Sequence, residues 1–160
     1  MSWMLTIRRF ETKDAPEIAS LIQRNFLEVN IKDYGLEEME RLAQKHTPEE
    51  ICRIAQQARM YVICEQDKIV GTGSVKHLDG SLTECGLATI FVHPEHQGQG
   101  IGRIIIDTLE QDELFLTSTR TEIGASITAC QFYEKMGYTY KDHKKALDRH
   151  GLYKMEKFRS

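Results

Sequence analysis

The segment Val92-His-Pro-Glu-His-Gln-Gly-Gln-Gly-Ile-Gly-Arg103 constrains the fold of this chain more than any other. An apolar run, Ile90-Phe91-Val92, enters a turn carrying Gly98, Gly100 and Gly102, and a helical pattern of Ile101, Ile104, Ile105, Thr108 and Leu109 leaves it. This spacing predicts a strand from Leu82 to His93 and a helix from about Gly100 to Gln111. Glycines in such a turn let backbone N–H groups point outward with no Cβ in the way. The helix start adds unpaired donors and a partial positive charge. A turn of this kind can bind phosphate or pyrophosphate, or it can be a connector without a ligand.

Two familiar phosphate-binding patterns do not fit. A P-loop needs Gly-Lys-Ser/Thr, and no such triplet occurs. A dinucleotide fingerprint G-x-G-x-x-G starting at Gly98 would need glycine at 103, where Arg103 stands. Glu122 lies near the distance of a ribose-binding acid, but the elements before the turn are wrong for a β-α-β half. Met60 to Glu65, Ile69 to His77 and Leu82 to His93 are strand-like runs separated by tight turns, which reads as an antiparallel meander.

The remaining chain completes the pattern. Leu5 to Phe10 reads as a first strand. Asp14-Ala-Pro-Glu17 reads as a helix start, with Asp14 as cap and Ala15, Ile18, Ala19, Ile22 and Phe26 on one face. Leu36, Met39, Leu42 and Ala43 mark a second helix, and the capping box at Thr47-Pro48-Glu49-Glu50 opens a third that runs to about Arg59. Downstream of the glycine turn, the reading is a short strand at Phe115 to Ser118, a helix from Ser126 to Met136 ended by Gly137, and a last hairpin of Tyr138 to Tyr140 with Leu152 to Phe158. The expected fold is α/β of the α+β type: one domain over residues 1–160, with a mixed, mostly antiparallel sheet of about seven strands flanked by helices.

Composition narrows the function. The net charge of −3 gives no global basic field, so nucleic acid is not an expected partner. No apolar stretch approaches the length of a membrane span or signal peptide, so no membrane partner is expected. Cys52, Cys64, Cys85 and Cys130 are widely spaced and form no C-x-x-C pair. They read as small buried hydrophobes in a reducing, cytoplasmic setting, with no metal site. His93 and His96 form H-x-x-H in a loop without an obvious third ligand.

Gln97-Gly98-Gln99-Gly100-Ile101-Gly102, after a strand ending in Val-x-Pro, resembles the Q/R-x-x-G-x-G/A signature of the GNAT acyltransferases. A second block is similar to that family's Asn-x-x-Ala and aromatic-Tyr segment: Ser126-Ile-Thr-Ala129-Cys-Gln-Phe132-Tyr133-Glu-Lys-Met-Gly137-Tyr138. Ser126 departs from the family's usual Asn. Element order extends the resemblance from Leu5 to about Phe158, though only these two blocks match sharply.

The resemblance implies an acetyl-CoA-dependent N-acyltransferase acting on an amine that the sequence does not identify. Gln97 to Arg103 would hold the pyrophosphate. Ile90, Phe91 and Val92 would bond to the pantetheine through their backbone, next to a bulge that parts this strand from the following parallel one. Ser126 would donate to a pantetheine carbonyl. Tyr133 would protonate the departing thiolate, although a core tyrosine beside Ala129, Phe132 and Met136 is the plainer reading of the residue alone. Strict alternation puts Glu84, Gly86, Ala88, Ile90 and Val92 on one face, apart from the effect of any bulge. Glu84 is the ionisable member, so it is the candidate base, acting through water. Glu28, Asp33, Glu37, Glu38 and Glu40 in the early helices would suit a cationic amine. The basic loop from Lys141 to His150 reads as a solvated hairpin tip, with contact to the 3′-phosphate or to an acidic substrate as the alternatives. A homodimer is compatible with this reading, but nothing in the sequence demonstrates one. Two other classes fit less well: a non-catalytic acyl-CoA binding module and a nucleotide-dependent oxidoreductase.

Overall fold

The computed structural model describes residues 4–159. Its frame is a seven-stranded sheet in the order β1-β2-β3-β4-β5-β7-β6. The strands are β1 (Leu5–Arg9), β2 (Arg59–Glu65), β3 (Lys68–His77), β4 (Glu84–Val92), β5 (Arg120–Ala125), β6 (Thr139–Tyr140) and β7 (Tyr153–Phe158). Every neighbouring pair is antiparallel except β4 and β5, which run parallel.

Helices cover both faces. On one side lie α1 (Ala15–Glu28), α2 (Leu36–Lys45) and α3 (Pro48–Gln57). Their apolar stripes, with Ile18, Ile22, Phe26, Met39 and Ile51, meet Met60, Val62 and Cys64 of β2. On the other side lie α4 (Ile101–Glu110), the single-turn α5 (Glu113–Leu116) and α6 (Cys130–Lys135). Ile101, Ile105, Ile106 and Leu109 of α4 recur at helical spacing and pack with Val70, Val75, Leu87 and Tyr133 in this second core. The helix lies tight on the sheet because β3 carries glycine there: a Cβ at Gly73 would sit 2.6 Å from Ile105 Cγ2.

The structure corrects the sequence reading at three places. Phe115 to Ser118 is not a strand; Asp112 Oδ1 accepts the Leu114 N–H at 2.8 Å and caps α5, and the strand beside β4 is β5 instead. Asp14 does not cap α1 through its side chain. Its carboxylate takes a bidentate bond from Arg8 at 2.8 and 2.9 Å and the Glu11 N–H, while Glu17 reaches across to accept the Ile69 N–H at 2.8 Å. The helix expected from Ser126 begins at Cys130, because Ser126 to Ala129 forms a turn in which the Ser126 carbonyl accepts from both Ala129 and Cys130. Gly137 does end it, at φ +98°.

Candidate active site

The central strand changes phase halfway along. Ser74 of β3 stands opposite Ala88, but Thr72 stands opposite Phe91, so Gly73 faces both Thr89 and Ile90. This is a β-bulge, and Thr89 carries it at φ +55°, a left-handed conformation that a β-branched residue rarely adopts. Surrounding structure holds it: Ser74 Oγ lies 3.0 Å from the Ala88 carbonyl oxygen and 3.1 Å from Thr89 Oγ1. The extra residue flips the alternation. Cys85, Leu87, Ile90 and Val92 share the α4 core, whereas Phe91 turns to the other face and packs edge-on against Phe26 at 5.5 Å. Ile90 and Val92 therefore do not share a face with Glu84, Gly86 and Ala88, as strict alternation would have it.

The bulge opens the sheet. β4 and β5 pair over Glu84↔Arg120, Cys85↔Thr121, Gly86↔Glu122 and Leu87↔Ile123, and then part. The next residues, Ala88 and Gly124, are both exposed although they lie on central strands. From Ala88 to Val92 the β5-facing edge of β4 has no strand on it.

The glycine turn stands at the open end of this wedge. Gly98 and Gly100 take φ +75° and +82°, where an L side chain is strained. Among the described residues, the N–H groups from Gln97 to Arg103 have no protein acceptor; the first helical bond here runs from the Ile104 N–H to the Gly100 carbonyl at 3.2 Å. Consecutive free N–H groups at a helix start form an anion cradle. Gln97 itself braces the turn, its Nε2 donating to the Val92 carbonyl at 2.8 Å. The same carbonyl also accepts from Asn25 of α1 at 2.9 Å, a buried side chain that the sequence reading passed over. Gly102 is where α4 meets α6: a Cβ there would lie 3.3 Å from Phe132 Cζ. Ile101 is buried beneath the turn, while Gln99 and Arg103 are exposed.

Tyr133 is brought to the same side of the sheet. It is 6% exposed, packed against Phe132 and Tyr138. Its hydroxyl has no protein hydrogen-bond partner among the described residues, and burial holds its pKa well above the ordinary phenol range. It is therefore a neutral O–H donor at physiological pH. Ser126 Oγ accepts the Ala129 N–H at 3.2 Å, which leaves its own proton free to donate.

Glu84 is not brought to this group. It sits at the closed end of the wedge, 3.3 Å from Arg120 Nη1. Arg120 also donates to Glu156 at 2.8 Å and to Glu122 at 2.5 Å, and Lys141 reaches Glu122 at 3.1 Å. Burial works against ionising Glu122, but the bonds from Arg120 and Lys141 outweigh it and hold its pKa below the usual carboxylate range. In the basic loop, Lys145 lies over the rings of Tyr140 and Tyr153. His93 and His96 stack edge to face at 5.2 Å, and His96 meets Glu65 at 3.3 Å.

Behind the bulge, on the α1–α3 face, is a hollow of about 170 Å³ lined by Arg53, Ile54, Gln57, Ala58, Ser74, Lys76, Ala88 and Thr89. A larger hollow of about 340 Å³ between β1 and α3, beside Phe10 and Cys52, is lined by none of the wedge residues. No helix among the described residues is long and apolar enough to cross a membrane.

Comparisons with known proteins agree with this geometry. The chain is similar in fold to the PaiA N-acetyltransferase of Thermoplasma acidophilum, solved in complex with coenzyme A, at 17% identity and a TM-score of 0.81 over 99% of this chain and 100% of that one. A GCN5-related N-acetyltransferase from Rhodopseudomonas palustris matches at 21% identity and a TM-score of 0.78, covering 99% of each chain. The acetyltransferase YncA of Salmonella typhimurium, solved with acetyl-CoA, matches at 18% identity and a TM-score of 0.67 over 96% of this chain and 93% of that one. No curated protein sequence matches at a significant level. Residues 30–158 match the acetyltransferase (GNAT) domain family. That match spans most of the chain, both blocks around the wedge included, and the chain belongs to the GNAT acetyltransferase family.

Proposed function

We propose that this protein transfers an acetyl group from acetyl-CoA to a primary amine by direct attack on the thioester. The observation that carries the reading is the wedge: a bulge at Thr89–Ile90 parts β4 from β5, directly beside a helix N-terminus whose N–H groups are free.

The roles follow from position. The N–H groups from Gln97 to Arg103, backed by the α4 dipole, hold the pyrophosphate. The unpaired edge of β4 at Ile90, Phe91 and Val92 receives the pantetheine as if it were another strand. The Val92 carbonyl already has two protein donors, so the bonds fall to the groups before it. Ser126 donates from the β5 side. With the donor in the wedge from the α4 face, the amine comes from the α1–α3 face, over Ala88 and the hollow behind it.

The amine nitrogen attacks the thioester carbonyl carbon, an N–H of the β4 edge stabilises the oxyanion, and the C–S bond breaks. Tyr133 donates its O–H in a hydrogen bond to the departing sulfur, as general acid in the transition state. A thiolate with a parent pKa of about 8.5 is the weaker base than a phenolate in this buried site, so hydrogen bonding and partial transfer in the transition state are what the residue supplies. The proton lost by the amine leaves through water. No carboxylate lines the hollow, and Glu84, four residues back along β4 and so about 13 Å away, serves only through a water chain.

The test is release of CoA thiol from acetyl-CoA with a panel of primary amines. Turnover on any amine, with the acetylated product identified by mass, supports the reading. Tight acetyl-CoA binding without turnover on any amine would instead make the chain a binding module.

A further inference from the structure

The hollow behind the bulge carries a charge that the sequence reading did not anticipate. Acids on the early helices pointed towards a cationic substrate, but the structure commits several of them elsewhere. Glu28 is bonded to Arg24, Glu38 to Arg41, and Asp33 to the backbone and hydroxyl of Thr128. The ionisable residues that line the hollow itself are both cations, Arg53 and Lys76. Lys76 makes no ion pair among the described residues. Arg53 spends Nε and Nη2 on Glu50 of its own helix, at 2.8 and 2.5 Å, which leaves Nη1 free. Counting Glu50, one uncompensated positive charge stands at the hollow.

The register puts that charge within reach of the reacting centre. Lys76 lies directly opposite Gly86, so Ala88 is its diagonal neighbour, about 7–8 Å away. Lysine spans that distance; Gly86 contributes no side chain, and Leu78 packs over it. Gln57 adds an amide to the same wall. The volume, about 170 Å³, is below the 300–1,000 Å³ of drug-sized sites and suits a small group.

We infer that the acceptor is a small primary amine that also carries a carboxylate, an amino acid in the broad sense, and that Lys76, assisted by Arg53 and Gln57, receives the carboxylate while the amine faces the thioester over Ala88. The inference rests on the proposed acetyl transfer and deepens it. A second ammonium, as in a diamine or polyamine, would be pressed against Lys76 and Arg53 and is disfavoured.

The experiment uses the full chain with CoA present and two readouts. The first is kcat/KM for matched acceptors: α-, β- and γ-amino acids, the same compounds as carboxamides, and diamines of equal length. The second is NMR titration with the N-acetylated amino acids and their amides, following the backbone signals of Gln57, Ala88 and Thr89. Carboxylates are expected to exceed amides by up to about fivefold, the worth of one charge-assisted contact at an exposed site. Lys76→Gln should abolish that preference and Lys76→Glu should turn it towards diamines, both without loss of acetyl-CoA binding. Lys76 is exposed, so both variants should fold, and their melting points check this. Preference for amides or diamines in the wild type would overturn the inference. So would an unchanged preference in Lys76→Gln, or no shift of these signals with either ligand. Transfer to diamines alone would leave the acetyltransferase reading standing, whereas failure to bind acetyl-CoA would sink that reading first.

Discussion

Replacing Tyr133 with Phe should cost activity and leave stability nearly unchanged. The hydroxyl is held in an apolar cluster with no protein hydrogen-bond partner among the described residues, and the side chain is 6% exposed. An unpaired buried hydroxyl costs about 1–3 kcal/mol in proteins. Tyr133 Oη is not among the fully buried atoms that lack a partner, so water can meet it in the free protein, and the Phe variant should match the wild type within about 1 kcal/mol. For a domain of this size that keeps the melting point within roughly 2–4 °C of the wild type. The ring contacts with Phe132 and Tyr138 stay in place, so packing gives no opposing loss. If the hydroxyl protonates the leaving sulfur, kcat should fall about a hundredfold or more, with acetyl-CoA affinity little changed. Calorimetry of the free protein and thiol release under saturating acetyl-CoA read the two effects separately. A variant with kcat within about twofold of wild type would refute the acid role. A variant about 2 kcal/mol less stable would refute the claim that the hydroxyl has no protein hydrogen-bond partner, since a partnered one has bonds to lose.

Arg120→Met should cost about 3 kcal/mol at neutral pH, because it leaves Glu84, Glu122 and Glu156 facing one another without their shared cation. Part of that loss should return as the pH falls through the carboxylate range, the reverse of the wild type, in which the lowered pKa of Glu122 makes stability decline with acid; denaturant midpoints at pH 7 and 4.5 check both signs. Alkali should destabilise the wild type. Burial raises the pKa of Tyr133 and, with help from Glu110, of Tyr138, so their contribution is intact below the ordinary phenol pKa of about 10 and is lost as the pH climbs beyond it, at up to about 1.4 kcal/mol per pH unit for each group. Urea midpoints from pH 9 to 11 should fall less steeply in Tyr133→Phe.

The parts of the site that could be read from sequence are those whose backbone demands a residue type. Gly98 and Gly100 need positive φ, so glycine is spelled out at each. The bulge was expected beside Ile90, but not its bearer. Thr89 sits at positive φ against its own preference, held by Ser74 of the neighbouring strand, and no local signal announces a conformation that tertiary contacts impose. β5 was hidden for a different reason. Thr121, Ile123 and Ala125 are buried on one face, but on the other face Arg120 is buried too, within an ion cluster with Glu84, Glu122 and Glu156, so charged residues disguise the period of two. Asn25 could have been found: it interrupts the buried stripe of Leu21, Ile22 and Phe26, and a polar residue there implies a partner across the core. The hollow could not be read, since α3, β3 and β4 supply its walls from distant parts of the chain.

The most direct test of the account is the thermal stability of the protein with acetyl-CoA, free CoA and NAD(P)(H), in the wild type and in Gly100→Asp. At a hundred times Kd, a ligand bound only by the folded state adds about 2.7 kcal/mol, or roughly 5–10 °C here. The substituted residue at φ +82° costs about 1–2 kcal/mol, which a folded domain tolerates, while its carboxylate occupies the anion cradle. The account predicts stabilisation by acetyl-CoA and CoA, none by NAD(P)(H), and loss of the response in folded Gly100→Asp. No response to either CoA species, or an undiminished response in Gly100→Asp, would contradict it.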